Sequence, residues 1–199
     1  MTAWEDWPLG GATIRLAPEW LPRDLADEFL SRTTQEIEWR REELTIFGKR
    51  REVPRRVAWQ GDPGTAYRYS GTLHVATGWT PAVRELRERL HAELAGTRFN
   101  GVLLNLYRDG NDTMGWHADD ERELGDEPVI ASISLGAVRT FRLRRRGEPR
   151  TTFDRPLPHG SLLVMSGATQ SNWQHCLPRR ARVDAPRVNL TFRELHAHG

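Results

Sequence analysis

Cysteine and lysine are almost missing from this chain of 199 residues: Cys176 and Lys49 stand alone in their types. A lone cysteine cannot form an internal disulfide, so no disulfide framework holds the fold. No apolar stretch approaches the roughly twenty residues that a membrane-spanning helix needs. A signal peptide's apolar segment near the start, internal repeats and low-complexity tracts are absent too. These absences point to a soluble, intracellular protein with no membrane; the expected localisation is cytoplasmic or nucleoid-associated, and no obligate protein partner is expected. A strong excess of one charge is also lacking. The formal net charge is +2 and the sequence pI about 9.1, which permits nucleic-acid binding without requiring it.

The length fits one domain with a real core. Basic residues cluster at Lys49, Arg50, Arg51, Arg55 and Arg56, from Arg142 to Arg146, and at Arg179, Arg180 and Arg182. Codon bias in a GC-rich genome explains arginine over lysine but not the clustering. Each cluster reads equally as a solvated face or as a set of phosphate contacts.

Leu25, Ala26, Phe29 and Leu30 have helical spacing behind Pro22, which suits a first helical turn. In a clearer second helix Thr80 can cap, Pro81 fits the first position, and Val83, Leu86, Leu90 and Leu94 line one face. From residue 101 the pattern changes to short apolar runs: 102–107, 129–135, 140–143, 162–165 and 187–192. Asp109 and Gly110, Gly147 to Pro149, and His159 and Gly160 mark turns between them. The reading is α+β, with helices packed against a strand-rich C-terminal half.

The last run is the most legible. Arg187, Asn189, Thr191 and Arg193 share one face of a strand, and Val188, Leu190 and Phe192 the other. The apolar face packs, so the polar face meets either water or a cavity. In a cavity, two guanidiniums beside a hydroxyl and an amide would suit a small dianion. Asn105 and Tyr107 repeat the alternation on an earlier run, and both could donate to carboxylate oxygens.

His117, Asp119 and His175 favour the cavity. In an extended segment His117 and Asp119 point the same way while Ala118 points away, and His175 must be brought to them by a barrel or two-sheet sandwich. Two imidazoles and a carboxylate are the ligands of a facial triad, which holds Fe(II) on one face and leaves positions open for oxygen and a co-substrate. An H-x-D alone arises easily by chance. Cys176 adjoins His175 but should face the opposite way, as a packed thiol rather than a ligand.

The stretches N-L-Y-R-D-G-N-D-T-M-G-W-H-A-D-D-E, I-A-S-I-S-L-G-A-V-R-T-F, H-G-S-L-L-V-M, W-Q-H-C-L-P and P-R-V-N-L-T-F-R occur in that order. Together they resemble the AlkB-type Fe(II)/2-oxoglutarate dioxygenases over about residues 46–193, nearest the branch that repairs alkylated duplex DNA. The resemblance implies a double-stranded β-helix, or jelly-roll, core with N-terminal helices on one sheet. It implies a single domain, with residues 1–20 as an extension, about 46–75 as a nucleotide-recognition segment and 101–193 as the catalytic core.

It also implies Fe(II) on His117, Asp119 and His175, with 2-oxoglutarate and O2 as co-substrates. Arg187 would bind the distal carboxylate and Arg193 would sit by the chelating one, with Asn105, Tyr107, Asn189 and Thr191 at the other co-substrate positions. Tyr67 and Tyr69 would sandwich a damaged base, with His117 in the opposite wall. Glu121 would contact its exocyclic amine, Phe47 would fill the stack after flipping, and Arg55 would be a neighbouring basic contact. The implied activity is oxidative demethylation of bases such as 1-methyladenine and 3-methylcytosine in duplex DNA, releasing succinate, CO2 and formaldehyde. The alternatives are the same chemistry on RNA, protein or a small molecule, and a non-catalytic damage-binding module.

Overall fold

A computed structural model of the chain describes residues 2–46, 49–69, 72–148 and 150–196. In chain order the elements are β1 (Glu5–Asp6), β2 (Thr13–Ala17), α1 (Arg23–Glu36), β3 (Arg40–Ile46), β4 (Lys49–Gly61), β5 (Ala66–Tyr69), β6 (Thr72–Val75), α2 (Pro81–Glu93) and β7 (Gly101–Tyr107). There follow β8 (Met114–His117), β9 (Ile130–Gly136), β10 (Arg139–Arg145), β11 (Thr152–Leu157), β12 (Ser161–Ser166), α3 (Thr169–Asn172), β13 (Trp173–Leu177) and β14 (Arg187–Arg193).

The strands form a major sheet in the order β1-β2-β12-β9-β14-β7-β4-β3, a minor sheet β11-β10-β13-β8 and a separate pair β5-β6. All these pairings are antiparallel. The core is the jelly-roll expected of the sequence, and the main helices pack on its major sheet.

Alternation on the central strands explains the layers. Val188, Leu190 and Phe192 of β14, Val102 and Leu104 of β7, and Ala131, Ile133 and Leu135 of β9 are buried on one face of the major sheet. Ala26 and Phe29 of α1 and Val83, Leu86 and Leu90 of α2 join the same cluster. At about 1.5–3 kcal/mol for each fully buried large aliphatic or aromatic side chain, this layer is a major source of stability. A second cluster, with Ile14, Leu16, Ile130, Phe141, Leu143, Leu163 and Met165, fills part of the space between the sheets.

Pro22 takes the N-cap position of α1. Thr80 takes that of α2, but its hydroxyl makes no cap. Its backbone N–H and its hydroxyl both donate to Gln60 Oε1, at 3.0 and 3.3 Å. The Glu36 carboxylate instead accepts from the Ala82 N–H at 2.8 Å, so the end of α1 caps α2 from outside.

The early strands were not foreseen. β2 pairs with β12, and β3 and β4 extend the major sheet beyond β7. The tryptophans of the first twenty residues are packing aromatics: Trp7 is buried against Phe141 and Phe153, and Trp4 and Trp20 flank the larger core.

Candidate active site

The side chains opposite the helix-packed layer are polar and buried. Arg187, Asn189, Thr191 and Arg193 are between 2 and 7 % exposed, and Asn105 and Tyr107 are equally hidden. β14 lies between β7 and β9, with Asn189 in register with Asn105 on one side and Ser134 on the other. The polar face of the last strand therefore meets a cavity, not water. That cavity is lined from the major sheet by Arg187, Asn189, Thr191, Arg193, Asn105 and Tyr107 and from the minor sheet by His117 and His175.

The minor sheet supplies the metal-competent group. His175 of β13 stands directly across from His117 of β8, beside it in one sheet rather than facing it from another, and the register shifts just beyond. Asp119 follows the end of β8, where its backbone N–H donates to Gln170 Oε1 at 3.0 Å. One ligand atom from each of His117, Asp119 and His175 lies within 4.8 Å of the others. These three could hold a metal ion.

Their surroundings favour it. His117 Nδ1 lies 2.9 Å from the Gly115 carbonyl, which fixes the proton there and leaves the Nε2 lone pair, 3.9 Å from Asp119 Oδ1, for a ligand bond. Burial pushes the pKa of His117 down and that of His175 down to about 3. Both rings are thus neutral, as a metal requires. Burial alone would raise Asp119, but chiefly the Arg193 guanidinium beside it outweighs this and brings the carboxyl down to about 2. Arg193 Nη2 donates to Asp119 Oδ1 at 2.9 Å.

At the other end, Arg187 Nη2 donates to Ser134 Oγ at 2.9 Å, and its guanidinium lies 5.3 Å from the Tyr107 ring centre. Burial brings its pKa down to about 10, so it is still charged at neutral pH. Its Nε is buried with no hydrogen-bond partner among the described residues. A buried cation with an unspent donor fits an incoming carboxylate. Asn189 Nδ2 donates to Ser132 Oγ and the Ile133 carbonyl, and Thr191 Oγ1 donates to Asn189 Oδ1. Asn105 Oδ1 accepts from Arg55 Nε at 2.6 Å, which leaves the Asn105 amide nitrogen to donate elsewhere.

Arg55 itself is 3 % exposed. Glu121 is half-buried at the start of a short 3-10 turn. Tyr67 and Tyr69 stand on β5, in register with His74 and Thr72. Phe47 lies outside the described residues. Cys176 is buried beside Arg142 of β10, and burial raises its thiol pKa to about 11, as expected of a packed thiol. The later basic clusters are largely paired internally: Arg142 with Asp154, Arg146 with Asp120, Arg144 with Gln174 and the face of Trp116, Arg179 with Asn111 and Arg180 with Thr140.

Ser132, Ser134 and Gln170 are site-supporting residues that the sequence does not single out. The serines had a signal, since they alternate with Ala131, Ile133 and Leu135 on an otherwise apolar strand. Gln170 had none.

The family model for the 2OG-Fe(II) oxygenase superfamily matches residues 13–193. The chain belongs to that superfamily. Within it the chain is an AlkB-type dioxygenase, and its cofactors are Fe(II), 2-oxoglutarate and O2. It is 44% identical over 180 residues to a mouse protein named DNA oxidative demethylase ALKBH2, covering 85% of this chain and 75% of that one. It is 39% identical over 203 residues to human alpha-ketoglutarate-dependent dioxygenase alkB homolog 3, covering 95% of this chain and 68% of that protein. The solved structure of OsALKBH1 superposes with a TM-score of 0.62 at 15% identity, covering 96% of this chain and all of that one, and so shares the fold. Among the described residues, no helix of this dioxygenase is long and apolar enough to cross a membrane.

Proposed function

We propose that this dioxygenase removes methyl groups from ring nitrogens of damaged DNA bases, of the 1-methyladenine and 3-methylcytosine type. The observation that carries the reading is the pairing of a His117–Asp119–His175 cluster with the buried, donor-bearing Arg187 across one cavity. The relative named a DNA oxidative demethylase points to the substrate.

His117, Asp119 and His175 are the proposed iron ligands. Arg187 takes the distal carboxylate of 2-oxoglutarate, and Arg193 steadies Asp119 beside the carboxylate that chelates the metal. Tyr107 and the amide of Asn105 complete the pocket, with Asn189 and Thr191 in its wall. With Fe(II), 2-oxoglutarate and O2 bound, the site supplies an oxidant able to hydroxylate a methyl carbon, while the co-substrate is converted to succinate and CO2. The hydroxymethyl group on nitrogen then leaves as formaldehyde, restoring the base.

Burial of Asp119 and His175 between the two sheets limits the water that reaches them. A base whose pairing edge is methylated is cheaper to flip out of a duplex than a normal one, which favours damaged sites. The proposed contacts on the substrate side are Tyr67, Tyr69 and Glu121 around the base and Phe47 at the gap it leaves, whereas Arg55, 3 % exposed and bonded to Asn105, is proposed as a support of the co-substrate pocket rather than a contact at that gap. The test is incubation of purified protein with iron, ascorbate, 2-oxoglutarate and oligonucleotides carrying either lesion, as single strand, duplex and RNA. Formaldehyde and restored base from DNA are expected. Turnover confined to RNA, or none at all, would refute the reading.

A further inference from the structure

Arg139 is the largest side chain among the fully buried ones, at 1 % exposure, and none of the roles above uses it. It begins β10 in the minor sheet, at the end of the sandwich where two loops meet. Its Nη1 donates to the Asp109 carbonyl at 3.0 Å, and its Nη2 to the carbonyls of Asp112 and Pro178, both at 2.9 Å. The first loop joins β7, which carries Asn105 and Tyr107, to β8, which carries His117. The second joins β13, which carries His175, to β14, which carries Arg187. Gly110 N–H donates to the Val183 carbonyl and Arg180 N–H to the Gly110 carbonyl, so the loops are also bonded to each other.

The three acceptors that bond its guanidinium are neutral carbonyls, and the Asp112 and Asp109 carboxylates offset part of its charge only from a distance. Its guanidinium lies 5.7 Å from the centre of the Tyr107 ring, and that of Arg187 lies 5.3 Å from the same ring. The two cations repel: the charge of Arg139 adds to the burial that lowers the Arg187 pKa. A protein holds two buried like charges around one aromatic ring at a cost, and a dianion entering the cavity relieves it.

We propose that Arg139 is a positioning and selectivity residue of the co-substrate pocket, holding Tyr107 against Arg187 and adding the second positive charge by which the pocket prefers a dicarboxylate to a monocarboxylate keto acid. This rests on Arg187 as the distal-carboxylate site. A purely structural clamp would weaken every keto acid alike. A charge acting at a distance weakens only the one with a distal carboxylate.

The test measures binding of 2-oxoglutarate and of 2-oxobutyrate, which lacks the distal carboxylate, to Mn(II)-loaded protein by calorimetry. In Arg139→Gln and Arg139→Met the preference for 2-oxoglutarate is expected to fall about tenfold, the scale of one charge felt through several ångströms of protein. Arg139→Lys gives up the fork that bonds three carbonyls but keeps the charge, so its ratio is expected to stay within about threefold of the parent even if both affinities fall together. An unchanged ratio in a folded neutral variant would overturn the proposal. If neither neutral variant folds, the Lys protein decides, and a tenfold loss there would overturn it. Arg187→Met separates the two readings. A preference that survives this change removes the assignment of the pocket itself, whereas one lost with Arg187 but not with Arg139 removes only the role of Arg139.

Discussion

Arg193 and Asp119 form an ion pair at 2.9 Å with each side chain only 2 % exposed, joining the last strand of the major sheet to the metal-competent loop of the minor one. A carboxylate oriented this way presents its remaining lone pairs in a fixed direction. Replacing Arg193 by Met leaves the ligand in place but unsteadied. Metal affinity is expected to fall about 10- to 100-fold, as is usual when the partner of a metal ligand is removed. Titration with Mn(II) followed by calorimetry measures it, and an unchanged affinity would mean that the pair serves stability alone.

Gly110 is where the two loops touch. A Cβ there would lie 1.8 Å from the Arg180 carbonyl oxygen and 2.9 Å from that of Val183, and neither backbone can yield without opening the junction. Gly110→Ala is expected to cost about 3 kcal/mol or more, at the top of the range for overpacking, and to weaken 2-oxoglutarate binding. Gly115, between Met114 and Trp116, has nothing within 4 Å of its Cβ position. Gly115→Ala should stay within about 0.5 kcal/mol of the parent in urea unfolding.

Asp112 should set part of the acid sensitivity. It is 3 % exposed and accepts from the Arg108 backbone N–H and from its Nε and Nη2, at 2.9, 2.8 and 2.7 Å. Burial acts to raise its pKa, but these bonds and the charges of Arg108 and Arg139 prevail and lower it. A carboxyl depressed on folding contributes stability that is present above its unfolded value, about 3.9, and is lost as pH falls through the folded one. Asp112→Asn should therefore be less stable by about 1–3 kcal/mol at pH 7, with the gap closing below about pH 4. Urea unfolding at pH 7, 5 and 3 checks this, and a gap that widens in acid would contradict it.

Cys176 should be inert. With its thiol pKa raised to about 11 by burial, almost no thiolate exists at neutral pH. Iodoacetamide is expected to label it only after unfolding, as mass spectrometry would show. Cys176→Ala should retain Mn(II) binding while losing about 1 kcal/mol of stability. Loss of metal binding would make the sulfur a ligand.

The site was more legible in the sequence than the frame around it. β14 could be read because its alternation is strict, R-V-N-L-T-F-R, and because polar residues on one face of a central strand need a cavity to face. The three candidate metal ligands could be picked out from residue type and spacing, although only the fold places His175 beside His117. β3 and β4 were hidden because R-R-E-E-L-T-I and K-R-R-E-V-P-R-R-V are dense in charge, and Pro54 looks like a strand breaker. Arg139 was hidden for the opposite reason. Among Arg142, Arg144, Arg145 and Arg146 it looks like one more solvated arginine, and only long-range packing onto the 109–112 and 178 carbonyls makes it a core residue.

The central claim is that this cavity demethylates DNA bases. It is tested most directly by mass spectrometry of a duplex oligonucleotide carrying a single 1-methyladenine, after incubation with the Fe(II)-loaded protein, 2-oxoglutarate and O2. The expected result is an oligonucleotide lacking the methyl group, with formaldehyde and succinate formed in equal amounts, and no change with His117→Ala or Asp119→Ala. An unaltered duplex while 2-oxoglutarate is consumed, or repair that persists in either variant, would contradict it.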